Sequence, residues 1–345
     1  MRGTLWTTTN CNLRCKYCYE KSNNKINILE SDIESKILDF IKKDILESES
    51  KEHNIQFHGG EPLLNFKLIK RVVNEIEKLR KNNEFTIRYG LTTNGTIWNE
   101  EIREFFIKHK KLFEGYISIS IDGTKENHNR NRLFADNRGS FDIVYNTAKE
   151  LLSIFKNIRC RMTVNKENVN ELAENIKYIA EEGFSQISVA FDLFDNKWSS
   201  EDVDIIKKQY QEIVEYWKEN NDIEISLIDE IKYKKKLGRC VAETHFYPDG
   251  FIYPCTFAVG NKEFNIGHID TGLDKEKIDK IAKLSRKDNE ICSECKNKLA
   301  CSSNRCKILN KVVTGDYYKS IPIECVLERI KLDIYKKNKE VFIVD

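Results

Sequence analysis

Between residue 1 and about residue 230, six short β-like runs alternate with amphipathic helical stretches, and this order restricts the possible folds more than any other feature. The strand candidates are 4–9, 54–58, 85–93, 116–122, 159–165 and 186–192. The helix candidates are 31–48, 67–81, 100–110, 141–155, 169–182 and 201–219. Strand, helix and strand in series imply parallel pairing through crossover connections. Six such units predict an α/β fold, an open, partial (β/α)6 barrel of TIM type rather than the closed eightfold ring.

Side chains alternate along a strand with a period of two, which sorts each run into two faces. Ser118, Ser120 and Asp122 oppose Ile117, Ile119 and Ile121. Arg161 and Thr163 oppose Cys160, Met162 and Val164, and Gln56 and His58 oppose Ile55 and Phe57. Arg88, Thr92 and Asn94 oppose Phe85, Ile87 and Leu91, while Ser188 and Asp192 oppose Ile187, Val189 and Phe191. With helices over the apolar faces, the polar faces line the interior. Closed barrels pack that interior with branched apolar residues, so a polar one predicts room for cofactor and substrate. Cys160 falls on the helix side and is expected to be a buried structural thiol.

The first run leads into Cys11-Asn-Leu-Arg-Cys15-Lys-Tyr-Cys18. Three thiolates from one short loop can serve one metal centre, and a cubane iron–sulfur cluster held by three cysteines keeps one iron open. A structural zinc loop is the competing reading, although zinc sites usually use paired CxxC units. Two further loops end strands, where α/β sites are built: His58-Gly59-Gly60-Glu61-Pro62 and Thr92-Thr93-Asn94-Gly95-Thr96.

The remaining cysteines gather near the other end of the chain. Cys240 is followed by nine residues, Gly250, four residues and Cys255, then by Cys292-x2-Cys295-x5-Cys301-x4-Cys306 and finally Cys325. The total of eleven is odd, and only Cys160 stands apart from the two groups, which favours metal ligation over disulfides. His245 to Cys255 reads as a hairpin with Asp249-Gly250 at its turn. A zinc ribbon on Cys292 and Cys295, or a plain electron carrier, uses some of the same ligands.

These motifs together resemble the radical S-adenosylmethionine (radical SAM) superfamily, and the later cysteines resemble its SPASM extension. The resemblance implies that Cys11, Cys15 and Cys18 hold a [4Fe-4S] cluster whose open iron takes SAM, which is cleaved to a 5′-deoxyadenosyl radical. Tyr17, Gly59, Gly60, Glu61, Pro62, Asn94, Ser120 and Arg132 are then the SAM contacts. Arg130 competes with Arg132 for the SAM carboxylate, and Arg161 is a further anion-binding candidate. Cys240, Cys255 and Cys306 would hold one auxiliary cluster; Cys292, Cys295, Cys301 and Cys325 would hold another, giving three [4Fe-4S] clusters. One departure is the four-residue gap between Cys301 and Cys306, where the family usually has three. The expected division is a radical SAM barrel over 1–230 and a SPASM domain over 231–345.

Two branches of the family fit this pattern. Anaerobic sulfatase-maturating enzymes carry an Asp after the cysteine matched by Cys255, where this chain has Thr256, which cannot take a proton as a carboxylate does. The expectation is therefore a maturase of ribosomally made peptides forming thioether or carbon–carbon crosslinks, with formylglycine formation as the alternative. Asp122, Asp192 and Asp249 are the candidate bases, and Asp249 or Glu243 is the candidate to stand in for the missing Asp. There is no room before Cys11 for a leader-recognition domain, so a separate leader-recognition protein or the barrel itself is expected to serve. A flavodoxin or ferredoxin is the expected reductant. A net charge of +2 argues against a nucleic-acid partner. With no membrane-length apolar run and no signal segment, a cytoplasmic protein without a membrane partner is expected.

Overall fold

The computed structural model describes residues 2–22, 31–232 and 242–342, so Cys240 lies outside the described residues. Six strands appear in the expected strand–helix order: β1 (Arg2–Thr8), β2 (Glu52–Gly59), β3 (Thr86–Thr93), β4 (Ile117–Ser120), β5 (Ile158–Val164) and β6 (Gln186–Phe191). Five short ones follow: β7 (Glu224–Ile225), β8 (Thr244–Phe246), β9 (Phe251–Tyr253), β10 (Gly267–His268) and β11 (Gly272–Leu273). Two compact units share the chain. One comprises Met1–Ser120, Arg132–Ile158 and Val241–Asp279; the other comprises Ile121–Asn131, Arg159–Cys240 and Lys280–Asp345.

In the first unit the strand order is β11-β10-β9-β8-β1-β2-β3-β4. β8, β1, β2, β3 and β4 run parallel, whereas β8, β9, β10 and β11 pair antiparallel. The hairpin read around Asp249-Gly250 is present as β8–β9, with Gly250 at φ 80°. Its pairing with β1, Thr4 opposite His245, was not foreseen. The apolar faces pack as the alternation requires. Phe57 stacks on Tyr89 at 5.9 Å, and Phe106 meets Phe113 edge-on at 4.8 Å. The helix Phe66–Lys81 starts where the Asn65 side chain accepts the Leu68 N–H. It buries Leu68, Ile69, Val72, Val73 and Ile76 along one stripe, each contributing roughly 1.5–3 kcal/mol.

In the second unit β5, β6 and β7 pair in parallel. Burial along β5 alternates: Ile158, Cys160, Met162 and Val164 are buried while Arg159 and Arg161 are exposed. The Cys160 thiol donates to the Ile121 carbonyl at 3.4 Å, as a structural thiol would. The helix Pro322–Lys337 carries Cys325 in its first turn. Lys331 anchors it with contacts to Glu230 at 2.6 Å and Glu328 at 2.7 Å. Among the described residues no helix is long and apolar enough to cross a membrane.

Candidate active site

The loop carrying Cys11, Cys15 and Cys18 leaves the carboxyl end of β1, and neighbouring backbone holds it in place. Gly60 N–H donates to the Thr8 carbonyl at 3.0 Å, Glu61 N–H to the Asn10 carbonyl at 2.8 Å, and Arg14 N–H to the Leu133 carbonyl at 2.7 Å. Within the loop, Cys18 N–H donates to the Cys15 carbonyl at 3.2 Å. Asn12 adds a side-chain link, donating to Thr96 Oγ1 at 2.7 Å and accepting from Asn94 Nδ2 at 3.0 Å.

The Cys11 sulfur faces two N–H donors, Leu13 at 3.4 Å and the Asn94 amide at 3.6 Å. Donors aimed at sulfur suit a thiolate bound to iron, whose potential they help set. Burial pushes the Cys11 thiol up, with the charges of Glu61 and Cys18 adding to it. Only an adjacent positive centre would then make it a thiolate near neutral pH. The donor set fits an iron–sulfur cluster on Cys11, Cys15 and Cys18.

Gly59 and Gly60 are glycines because the cysteine loop crosses them. A Cβ at Gly60 would stand 2.3 Å from the Asn10 carbonyl oxygen, and one at Gly59 (φ 142°) 2.2 Å from that of Thr8. Gly60→Ala is expected to displace the loop and weaken SAM binding about 10–100-fold, the usual cost of disturbing the support of a metal site. Equilibrium binding of SAM to the iron-loaded variant measures it.

Glu61 is fully buried, and its oxygens serve the protein's own donors. Oε1 accepts from Leu63 N–H at 3.0 Å and the Thr93 hydroxyl at 2.8 Å, and Oε2 accepts from Asn94 N–H at 2.7 Å. It buckles the end of β2 to the end of β3. Burial pushes its carboxyl up to about 7, against the pull of these three donors. Pro62 follows as the first residue of a short 3-10 turn, and its carbonyl accepts the Thr7 hydroxyl at 3.1 Å.

Asn94, Ser120 and Arg132 are each buried at 6–8% exposure. The Arg132 guanidinium lies over the Tyr17 ring at 5.3 Å, beside the third cysteine. Arg130 is exposed and forks onto Glu171 at 2.5 and 3.1 Å, so that carboxylate already occupies it. Thr93 and Asn12 escaped the sequence reading: strand alternation set Thr93 apart from Thr92 and Asn94, and nothing in the loop marks Asn12.

The candidate bases all have backbone partners. Asp122 accepts Thr163 N–H at 2.9 Å, Asp192 accepts Phe194 N–H at 3.0 Å, and Asp249 accepts Phe251 N–H at 2.9 Å and the Tyr253 hydroxyl at 3.1 Å. Arg161 is exposed on β5. Cys255 is half-buried in the turn after β9 in the first unit. The second unit carries Cys292, Cys295, Cys301, Cys306 and Cys325. Cys292 and Cys295 share a turn through a 3.0 Å backbone hydrogen bond. Burial pushes Cys325 up, with the charges of Cys292 and Cys295 adding to it, and pushes Cys301 up to about 11.

Fold and loop thus define an α/β protein with a three-cysteine loop at the end of its first strand. The model of the radical SAM superfamily matches residues 7–179, and the chain belongs to that superfamily. As a radical SAM enzyme it uses a [4Fe-4S] cluster and SAM. Over 294 residues it is 28% identical to a cysteine-type anaerobic sulfatase-maturating enzyme of Clostridium novyi (strain NT), spanning 76% of this chain and 75% of that protein. The fold matches a histidine-tagged anSMEcpe with bound AdoMet (TM-score 0.83, 22% identity, 100% of this chain and 96% of that one). It also matches Streptococcus suis SuiB bound to precursor peptide SuiA (TM-score 0.64, 15% identity, 94% and 75%).

Proposed function

We propose that this radical SAM enzyme oxidises a peptide, joining a thiol or carbon to an unactivated carbon of the same chain in the manner of a peptide maturase. The likeness to a sulfatase-maturating enzyme and to SuiB supports a peptide or protein substrate. The cluster and SAM, once bound and reduced by one electron, supply a 5′-deoxyadenosyl radical. Cys11, Cys15 and Cys18 would hold the cluster, and Arg132, Asn94, Ser120, Tyr17 and the Gly59–Pro62 segment would seat SAM.

One hydrogen atom leaves a substrate C–H bond and ends on 5′-deoxyadenosine. Closing a thioether then releases the thiol proton and one electron. The later cysteines are where groups able to take that electron would be held. Cys292, Cys295, Cys301 and Cys325 would serve one auxiliary [4Fe-4S] cluster, and Cys240, Cys255 and Cys306 another. On this reading the radical SAM segment runs to about residue 230 and the cysteine-bearing segment from 231, and the protein works in the cytoplasm with a flavodoxin or ferredoxin.

The observation that carries crosslinking over formylglycine is the chemistry around Cys255. Thr256 follows it, and of the two substitute carboxylates Asp249 is already engaged. Asp249 is held by Phe251 and Tyr253, and Glu243 faces His245 at 3.4 Å. Oxidising a cysteine or serine to an aldehyde calls for a base at the thiol or hydroxyl, whereas a crosslink can use the substrate thiolate itself. Sulfatase maturation remains the second reading because of the identity to the Clostridium novyi enzyme.

The test is anaerobic turnover with SAM and dithionite on two peptides, one cysteine-rich and one bearing a sulfatase-type cysteine site. The expected product has lost two hydrogens and one alkylatable thiol, with stoichiometric 5′-deoxyadenosine. A hydrazide-reactive aldehyde on the second peptide, with the first unchanged, would establish the other reading.

A further inference from the structure

A buried cation sits among the later cysteines. Lys307 directly follows Cys306, and only 2% of it is exposed. Its ammonium donates to Asn289 Oδ1 and to the Asn304 carbonyl, and it rides over the Tyr318 ring at 5.1 Å. Both acceptors are neutral. The nearby carboxylate, Asp288, is engaged by Lys298 at 2.8 Å and by Asn304 Nδ2 at 2.9 Å. Burial pulls the ammonium's pKa down, and Asp288 and the sulfurs of Cys292, Cys301 and Cys306 act against that pull.

A hydrogen-bond chain joins the ammonium to one of those sulfurs. Asn289 accepts from Lys307 and donates through Nδ2 to Ser320 Oγ at 2.7 Å, and Ser320 Oγ lies 3.5 Å from Cys292 Sγ. Asn289 is fixed from behind as well, with its N–H on Asn304 Oδ1 at 2.9 Å and Nδ2 within 3.2 Å of the Ser303 carbonyl. Asn289, Ser303, Ser320 and Lys307 are all buried. Burying an ammonium against neutral acceptors is costly unless a negative charge accompanies it.

We infer that Lys307 is a positioning residue that raises the reduction potential of a cluster on Cys292, Cys295, Cys301 and Cys325, acting by its charge and through Asn289 and Ser320 on the Cys292 sulfur. This rests on reading those four cysteines as cluster ligands. Reduction adds one negative charge to such a cluster. A fixed cation in a low-dielectric pocket therefore favours the reduced form, and so does a hydrogen bond to a ligand sulfur. The electron released by substrate oxidation would find a better acceptor there than without the lysine.

The experiment is an anaerobic potentiometric titration followed by electron paramagnetic resonance on the full chain, with the signal assigned by its loss in the Cys295→Ala/Cys325→Ala double variant. At fixed potential, Lys307→Met should lower the reduced-to-oxidised ratio about tenfold, which is 59 mV for a one-electron couple. Lys307→Arg should stay within about twofold of the parent, and Ser320→Ala should fall about threefold. A loaded Lys307→Met with an unchanged ratio would reduce the lysine to a packing role and overturn the inference. Should Lys307→Met fail to load, Ser320→Ala and Lys307→Arg decide: a drop in the first with none in the second supports the inference, and no drop in the first overturns it. Iron counting separates failure of the underlying reading. If the Cys295→Ala/Cys325→Ala double variant, left with two of the four thiolates, binds as much iron as the parent, these cysteines hold no cluster and the inference falls with them.

Discussion

Cys15→Ala is expected to stop 5′-deoxyadenosine formation, leaving only the background of reductant and SAM, while the protein remains folded. Cys15 is half-buried on the loop. Removing one sulfur from such a position costs stability within the ordinary range for a partly exposed site, about 1 kcal/mol. The loss therefore lies in the chemistry. Two thiolates cannot keep a cubane seated with one iron open, and without that iron SAM has no electron source. Paired assays separate the causes: circular dichroism should be unchanged, iron should fall by the content of one cluster, and SAM cleavage should vanish. Undiminished cleavage would remove the loop from the mechanism.

Glu61 gives the second large effect, this time in stability. Glu61→Ala strands the Leu63 N–H, the Asn94 N–H and the Thr93 hydroxyl in a buried site. Each unsatisfied buried donor costs about 1–3 kcal/mol, so a loss of about 4 kcal/mol is expected in urea unfolding. The pH dependence has a definite sign. Its folded carboxyl titrates at about 7 against an ordinary 4.5, so the folded state holds a proton that the unfolded chain gives up earlier. Stability from this group is complete below pH 4.5 and is lost as pH rises through about 7, a change of about 3 kcal/mol. Glu61→Gln does not titrate. The difference between it and the parent should shrink from low to neutral pH across that window, and parallel profiles would show that Glu61 keeps its ordinary affinity for protons.

The six strand–helix units were legible because each is long enough for its periodicity to show. Alternation in β5 placed Cys160 on the packed side, where the structure has it buried, and Arg161 on the opposite, interior-lining face, where it is exposed. The three-residue strands were harder. Thr244–Phe246 reads correctly as one arm of a hairpin, but nothing local shows that its other edge pairs with β1. The site divides along the same line. Cysteine spacing is covalent information and survives in the sequence, whereas two of the partners of Glu61, the Thr93 hydroxyl and the Asn94 N–H, lie more than thirty positions away. A sequence that shows Gly59-Gly60-Glu61-Pro62 at a strand end suggests contact with a ligand. It does not show that the crowding comes from Thr8 and Asn10. Lys307 was invisible for a related reason, since a lysine beside a cysteine reads as surface until its burial is known.

The parallel seam between β8 and β1 has a bearing on how the protein can be divided. A fragment ending near residue 230 would leave Gly3, Thr4 and Leu5 without the neighbours they have at Thr244, His245 and Phe246. It would bare an unpaired, largely apolar edge, the kind of surface through which truncated proteins stick to one another. The amino-terminal segment is thus not an excisable minimal catalyst, because the late hairpin acts as its selvedge.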